Sequence, residues 1–194
     1  MLDHSKVIVF IGLLLVTISA TAQSLNDAVA KKDTAKALQL IHSGAIVNEL
    51  DANGSSPLMT ACRWADIAMV RLLLNNNAGA NEPRSPKGRT PLMVTCAYYG
   101  GITITKLLIS NGANVNAVAN DGTTALMLAA GNAKMDVVEF LVSRGADATL
   151  KDSKGLTALD YAAKADVTPY LKESVKDCKI DKDAVIALLT ALKN

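Results

Sequence analysis

The feature that most constrains this chain is a pattern that recurs about every 33 residues. Its first motif is an apolar pair followed shortly by Gly-Ala or Asn-Ala, and the Gly or Asn of this motif is found at Gly44, Asn77, Gly112 and Gly145. A second motif keeps the same period and opens with glycine at Gly54, Gly88, Gly122 and Gly155. Two motifs that share one period of this length indicate tandem structural repeats. Such a chain folds by stacking its units rather than around one central core.

Each motif contains residues that begin or end a helix. The second motif places an N-cap residue type before a Pro-Leu or Ala-Leu pair, at Ser56, Thr90, Thr124 and Thr157. Pro57 and Pro91 then occupy the first helical position, where the missing N–H has no cost. The first motif ends a helix, because Gly and Asn adopt the left-handed conformation most readily. The pattern therefore predicts two short helices and a polar connection in each unit.

Composition agrees with a stack of helices. Aromatic residues make up only 4% of the 194 residues, which disfavours a β-sandwich. The second helices carry an apolar face, for example Val138, Leu141 and Val142, that no single unit can bury. The units must therefore stack into one continuous elongated core. We expect an all-α fold in one domain.

These motifs resemble the ankyrin repeat, whose signature is a Gly-x-Thr-Pro-Leu-His opening and a Leu-Leu-x-x-Gly-Ala close, over about residues 24–165. The resemblance implies an ankyrin-repeat solenoid of helix-turn-helix units with β-hairpin-like loops, about four to five repeats long, with a C-terminal capping helix. We divide residues 23–194 into a capping repeat at 24–50, repeats at 51–84, 85–118 and 119–151, a partial repeat at 152–176 and a terminal helix at 181–193. In that helix an apolar face follows the capping residue Asp181, formed by Val185, Leu188, Leu189 and Leu192.

The sequence departs from the family pattern in two ways. Met59, Met93 and Met127 replace the family's histidine, whose side chain commonly ties the hairpin down, so the anchoring of the hairpins is in question. The third repeat has one additional residue near Tyr99-Gly100-Gly101, and the hairpin before it, 81–87, has another. We interpret both as insertions that surface loops tolerate at little cost.

Residues 1–22 are typical of a cleavable signal peptide. Lys6 precedes an uninterrupted apolar run at 7–18, and Ala20-Thr21-Ala22 provides a small-residue cleavage site before Gln23. The run is shorter than the ~20 apolar residues of a membrane span, so membrane contact would be limited to an uncleaved segment. We expect a secreted or periplasmic bacterial protein.

The sequence offers little for catalysis or metal binding. His42 is the only histidine after residue 22, and no Cys or acidic residue accompanies it at ligand spacing, so neither a zinc site nor a His-based triad is expected. The net charge is +2, and the 20 basic residues are dispersed among 18 acidic ones, which argues against a nucleic-acid partner. We expect no enzyme activity, cofactor or small-molecule substrate.

The cysteines suggest no internal disulfide. Cys62 and Cys96 hold the same register in adjacent repeats, where helix axes lie ~8–10 Å apart, beyond the ~7 Å Cα separation that a disulfide tolerates. Both are expected to be buried and unpaired. Cys178 lies in the terminal linker and could be free or could bridge a second molecule.

Ankyrin proteins usually bind partners through the hairpin tips and the exposed face of the first helices. The matching positions at the helix ends carry Arg63, Trp64, Tyr98 and Tyr99, and the hairpins carry Asn53, Arg84 and Lys87. Trp, Tyr and Arg are enriched in interface hot spots, although Trp64 and Tyr98 could instead cover the ends of short helices. We predict a monomeric scaffold for protein-protein interaction, such as an inhibitor, immunity factor or stress-protective partner. The alternative is a structural protein that stabilises the envelope without a discrete target.

Overall fold

The computed structural model of this chain describes residues 24–81, 87–165 and 181–192. In these ranges the chain forms ten helices: α1 (Leu25–Ala30), α2 (Thr34–His42), α3 (Pro57–Arg63), α4 (Ile67–Asn75), α5 (Pro91–Ala97), α6 (Ile102–Ser110), α7 (Ala125–Gly131), α8 (Met135–Ser143), α9 (Ala158–Ala163) and α10 (Lys182–Ala191). Extended pairing within them is limited to an isolated bridge between Val118 and Thr124. The predicted all-α solenoid with its capping helix is therefore confirmed. The signal segment, Arg84 and Cys178 lie outside the described residues.

The helix boundaries follow from the two motifs. The side chains of the four predicted N-caps each accept a hydrogen bond from the backbone N–H three residues later: Ser56, Thr90, Thr124 and Thr157. α1 begins in a similar way, because Ser24 and Asp27 bond each other reciprocally in a capping box. The predicted helix ends are left-handed, with φ between 64° and 91° at Gly44, Asn77, Gly112 and Gly145. Each unit thus starts and stops where its sequence motif does.

The helices pack in two layers. The first helices α1, α3, α5, α7 and α9 lie side by side, and the second helices α2, α4, α6 and α8 form the other layer. The three methionines at the histidine position, Met59, Met93 and Met127, are fully buried. α10 packs against α8 and α9 and buries Val185 and Leu189. Leu192, predicted for the same face, remains 44% exposed because it lies at the C-cap of the helix, beyond its last turn.

Aspartate side chains hold the hairpins between units. Oδ1 of Asp51 accepts from the N–H groups two and four residues ahead, and Oδ1 of Asp152 does the same in its own hairpin. Neighbouring hairpins are also linked, because Asn120 N–H donates to the Lys87 carbonyl at 3.1 Å and Ser153 N–H to the Asp121 carbonyl at 2.9 Å. These described hairpins therefore do not depend on the family's histidine for their anchoring.

A series of asparagines, not predicted from the sequence, joins consecutive units. Asn48, Asn81 and Asn116 each lie four residues after the Gly or Asn of the first motif. Each side chain donates to a carbonyl of the next unit and accepts from a backbone N–H there, at 2.7 to 3.3 Å. The fourth position is Thr149, whose hydroxyl donates to Asp147 of its own unit. The series thus ends where the last complete unit ends.

Cys62 and Cys96 are buried and free, as the sequence predicts. Burial raises the pKa of each thiol to about 12, so both stay protonated at neutral pH. Across the part of the chain that the structure describes, no helix has the length and apolar character needed to cross a membrane.

Candidate protein-binding surface

Trp64 and Tyr98 occupy equivalent places in adjacent units. Each follows directly after a first-layer helix, Trp64 as the C-cap of α3 and Tyr98 as the C-cap of α5. The Trp64 residue is 48% exposed and Tyr98 is 45% exposed. Such exposure is high for large aromatic side chains, which usually bury most of their area. The ends of these two helices therefore present aromatic surface to solvent.

Aromatic rings from adjacent units stack at these helix ends. The ring centroids of Trp64 and Tyr99 are 6.3 Å apart and the ring planes differ by 10°, which is an offset-stacked arrangement. Lys32 Nζ lies 5.9 Å from the Trp64 ring centroid, and Arg63 Cζ lies 5.1 Å from that of Tyr98. Both distances fit cation-π contacts. We call Lys32, Arg63, Trp64, Tyr98 and Tyr99 the Trp-Tyr surface; it spans three consecutive units.

A groove of about 340 Å³ shares Arg63 and Tyr98 with this surface. Its other polar lining includes Asn53 and Lys87 from two hairpins, and Arg89 beside the second of these. We call it the basic groove. A nitrogen of Arg89 lies 3.9 Å from Oδ2 of Asp121 in the next hairpin. Hydrogen bonds from Thr123 and the positive charge of Arg89 hold the pKa of Asp121 below its usual value.

The turn after α5 differs from those after the neighbouring first helices. After α1, α3 and α7 the turn contains one left-handed residue: Lys32, Ala65 and Ala133, respectively. After α3, for example, Ala65 N–H donates to the Cys62 carbonyl and Asp66 N–H to the Ala61 carbonyl, so the turn bonds its own helix end. The turn after α5 has one more residue, and Tyr98 there is extended, with φ −118° and ψ −146°. None of residues 98–101 is left-handed.

Two side chains of the next unit donate to carbonyls at the end of α5 and in the turn that follows it. Lys134 Nζ donates to three of them, at 3.0, 2.5 and 2.8 Å: those of Thr95, Tyr98 and Gly100. Asn132 Nδ2 donates to the Cys96 carbonyl at 3.2 Å. Thr95 and Cys96 are the counterparts of Ala61 and Cys62, whose carbonyls accept from their own turn. In the third unit, donors from the fourth unit therefore bond carbonyls whose counterparts in the second unit accept from N–H groups of their own turn.

These bonds fix the course of the chain beneath the aromatic residues. Lys134 is 1% exposed and stands at the N-cap position of α8, where Asp33 and Asp66 cap the second helices of earlier units. It makes no cap bond to α8, because an ammonium group cannot accept from a backbone N–H, and its side chain reaches α5 instead. Gly100 packs so tightly that a Cβ atom there would lie 2.5 Å from Thr95 Cγ2. The extra residue of the third unit, interpreted above as a tolerated insertion, is thus held by specific contacts.

The structure brings together most of the residues predicted for binding. Four of them form the Trp-Tyr surface with Lys32, and Asn53 and Lys87 join Arg63 and Tyr98 in the basic groove. Lys32, Arg89 and Lys134 were not predicted from the sequence. Arg89 had an available signal, because it fills the variable position of the Gly-x-Thr-Pro motif beside Lys87. Lys134 had one also, since lysine replaces an N-cap aspartate there.

The chemistry of this surface is suited to non-covalent contact. Within the described ranges, no group of three His, Cys, Asp or Glu side chains is arranged to hold a metal ion. His42 is exposed at the last position of α2. Aromatic faces, a guanidinium and hairpin tips are what the surface offers instead, and these groups are common in protein interfaces.

The fold defines a class of protein, the helical-repeat solenoid. A family model described as ankyrin repeats (3 copies) matches residues 25–119 and 94–184. The chain belongs to the ankyrin-repeat family. Ankyrin repeats form protein-protein interaction domains, and this chain contains such a domain.

Similar proteins come from distant sources. The chain is 35% identical over 130 residues to the ankyrin repeat protein FPV031 of fowlpox virus, a match covering 63% of this chain and 38% of that protein. It is 32% identical over 112 residues to an ankyrin repeat-containing protein of Treponema pallidum, covering 58% and 37%. It is 35% identical over 116 residues to neurogenic locus notch homolog protein 1 of Xenopus tropicalis, covering 60% and 5%. The chain thus spans well under half of each relative.

Proposed function

We propose that this chain is a monomeric, non-catalytic scaffold that binds a protein partner in the periplasm or outside the cell, with the Trp-Tyr surface at the centre of the interface. The observation that carries the proposal is the stacking of Trp64 on Tyr99 across two units while Trp64 and Tyr98 remain about half exposed. Binding hot spots are enriched in Trp, Tyr and Arg and lie close together. All three residue types meet here.

The surface is also ordered before any partner arrives. The Trp64 ring contacts both Tyr99 and Lys32, and the backbone of the Tyr98 turn is held by Lys134. Binding normally costs ~0.5–1.5 kcal/mol for each side chain that it immobilises. Part of that cost is therefore already met in folding, so binding through this surface costs less than binding through mobile surface side chains.

Export is the second part of the proposal. It is supported by the apolar run at 7–18 and by Ala20-Thr21-Ala22. The intact mass of the protein from its native host tests it. A chain beginning at Gln23 supports export with cleavage, whereas an uncut membrane-bound form contradicts it.

Affinity capture and folding measurements together test the binding surface. Trp64→Ala and Tyr98→Ala are each expected to weaken partner binding by about 1–2 kcal/mol, a five- to thirtyfold loss, and to change the free energy of unfolding by less. Phe140→Ala is a matched control, since Phe140 is an aromatic residue with its own cation-π contact to Arg144 at 4.6 Å, but lies on the second-layer helix α8. It should leave binding intact.

Two results would contradict the proposed surface. If Trp64 and Tyr98 only cover helix ends, their truncation would leave affinity unchanged and cost ~3 kcal/mol or more of folding free energy, as large aromatic truncations in cores do. Capture of diffuse envelope material, without one stoichiometric partner, would favour a structural envelope role. A single partner whose activity falls on binding would identify an inhibitor or immunity factor.

A further inference from the structure

Among the described residues that line it, the basic groove has three cationic side chains and no carboxylate. Arg63, Lys87 and Arg89 contribute cations to its lining. Asp121, in the next hairpin, is paired with Arg89. Asp51 precedes the lining residues Asn53 and Ser55, but its Oδ1 accepts the backbone N–H groups of both. Both of these carboxylates are thus engaged in contacts of their own.

Arg63 is the group in this groove that is most prepared for a ligand. Its Nε is buried and has no hydrogen-bond partner among the described residues. The Arg63 Cζ atom lies 5.1 Å from the centroid of the Tyr98 ring, a cation-π contact that the guanidinium can make while it also donates hydrogen bonds to an acceptor. A buried N–H that finds no acceptor in the protein is costly, so a movement of the Arg63 side chain that brings Nε to a ligand oxygen is favourable. A planar carboxylate matches the fork of guanidinium donors.

The dimensions of the groove suit a side chain of a partner protein. Its volume of about 340 Å³ exceeds the ~30 Å³ share of one water many times over. It is bounded by the Asn53 and Lys87 hairpins on one side and by Tyr98 on the other, which continues into the Trp-Tyr surface. A segment lying across the aromatic rings would therefore reach the groove with its next acidic side chain.

We propose that the basic groove binds Asp or Glu side chains of an acidic segment of the partner protein, with Arg63 as the principal carboxylate ligand and Lys87 and Arg89 as supporting charges. This assignment rests on the proposed interaction function and names the chemistry of its partner. The aromatic residues supply most of the contact area, and the groove selects for carboxylate groups beside an apolar or aromatic contact.

The test uses synthetic peptides, so it does not need the native partner. A fluorescein-labelled octapeptide of alternating Glu and Ser is titrated with the purified chain by fluorescence anisotropy, alongside peptides in which Gln or phosphoserine replaces Glu. Trp64 is the single tryptophan of the chain, so its intrinsic emission reports binding beside the groove without a label. We expect the Glu peptide to bind at least tenfold more tightly than the Gln peptide, with affinity that falls as salt is raised.

Variants locate the site. Arg63→Gln is expected to weaken binding of the Glu peptide at least tenfold, Arg63→Lys less, and Lys87→Gln about threefold. Lys87 is exposed, so its substitution leaves folding intact even if Arg63→Gln does not. Arg71→Gln removes an equal charge from an exposed position on α4 outside the groove lining and should have little effect. Equal losses for Arg71→Gln and Lys87→Gln, equal affinity for Glu and Gln peptides, or binding of the phosphoserine peptide alone would each overturn the proposal.

The result is separable from the proposed function. If the native partner is lost with Trp64→Ala but is unaffected by Arg63→Gln, and the Glu peptide does not bind, the interaction function stands and the acidic-segment assignment fails. If the Glu peptide binds through Arg63 and no stoichiometric partner is captured, the groove assignment stands and the interaction function fails.

Discussion

Lys134 provides the sharpest test of how the third unit is held. It is a buried cation whose ammonium donates to the carbonyls of Thr95, Tyr98 and Gly100. Lys134→Met keeps a long side chain that can fill the same space and removes the charged donor. The change therefore isolates the hydrogen bonds from the packing of the stem.

The expected loss follows from these three contacts. A hydrogen bond to a charged group contributes a net ~1.5–3 kcal/mol, and a buried acceptor left unsatisfied costs ~1–3 kcal/mol. The sum overstates the effect, because methionine also avoids the desolvation of a buried ammonium, itself several kcal/mol. We expect Lys134→Met to lower the free energy of unfolding by about 2–3 kcal/mol.

The sign of the stability change in Lys134→Asp separates two explanations of what lysine does at this position. Aspartate caps the second helix in other units, as Asp33 and Asp66 do. If Lys134 were only a poor N-cap, aspartate would stabilise the protein by ~1 kcal/mol. If the cross-unit bonds matter more, the variant loses them and places an anion near the carbonyl end of α5, which is unfavourable. We expect destabilisation of about 2 kcal/mol.

Urea denaturation followed by circular dichroism and by Trp64 fluorescence measures both variants. Asp66→Ala, which removes a local cap at the equivalent position, should cost ~1 kcal/mol and leave the native emission of Trp64 almost unchanged. The Lys134 variants should shift that emission, because the Tyr98–Gly100 turn positions Tyr99 against Trp64. A Lys134→Asp protein as stable as the wild type, or more stable, would refute the argument.

Three further predictions concern the repeats themselves. Gly122 and Gly155 have similar φ values of 78° and 75°, but of the two only Gly122 lies where an added Cβ would meet the next hairpin, 2.8 Å from Asp152 Cα. Chemical denaturation should therefore show a loss of ~1 kcal/mol in the free energy of unfolding for Gly155→Ala and at least twice that for Gly122→Ala. Asn116→Ala removes hydrogen bonds to the next unit at 2.9 and 2.8 Å and should cost ~1–3 kcal/mol. Asn111→Ala removes a hydrogen bond within its own helix and should cost less than ~1 kcal/mol. Equal costs would contradict a role of the asparagine series in joining the units. Burial raises the pKa of Cys62 and Cys96 from 9.0 to about 12, so their contribution to stability is full below pH 9 and is lost as the pH rises towards 12, by about 1 kcal/mol per thiol at pH 10. The free energy of unfolding of the Cys62→Ala, Cys96→Ala double variant should lack this dependence between pH 9 and 10. A wild-type chain with the same pH dependence as the double variant would argue against buried thiols.

The sequence is most informative where one residue determines one backbone conformation. Ser56, Thr90, Thr124 and Thr157 predict helix starts because an oxygen one bond from Cβ can reach the N3 amide, and each one does. Gly44, Gly112 and Gly145 predict helix ends because few other residues are left-handed without strain. These rules act within four residues, so they need no knowledge of the rest of the fold.

Contacts between units are harder to predict, because they depend on which side chains the stacking brings together. Asn48, Asn81 and Asn116 recur with the repeat, so the period itself could have indicated their shared role. Lys134 does not recur, and it contacts the Tyr98 carbonyl 36 residues earlier in the chain. Arg63 was predicted as a surface residue, but the burial of its Nε became visible only with the groove in place.

The irregular third unit and the Trp-Tyr surface are connected, because hydrogen bonds from the next unit replace those that a regular turn after α5 would make to its own helix. A regular turn after α5 would contain a left-handed residue and would return its N–H groups to its own helix, as Ala65 and Asp66 do after α3. The longer, extended turn places Tyr98 and Tyr99 in succession, so that one ring meets Arg63 and the other stacks on Trp64. On that course, carbonyls at the helix end and in the turn accept hydrogen bonds from another unit, and Asn132 and Lys134 donate to four of them. The fourth unit contributes no side chain to the Trp-Tyr surface. The positions of the Tyr98 and Tyr99 rings nevertheless depend on the fourth unit, because its donors bond carbonyls that would be costly to bury without a donor.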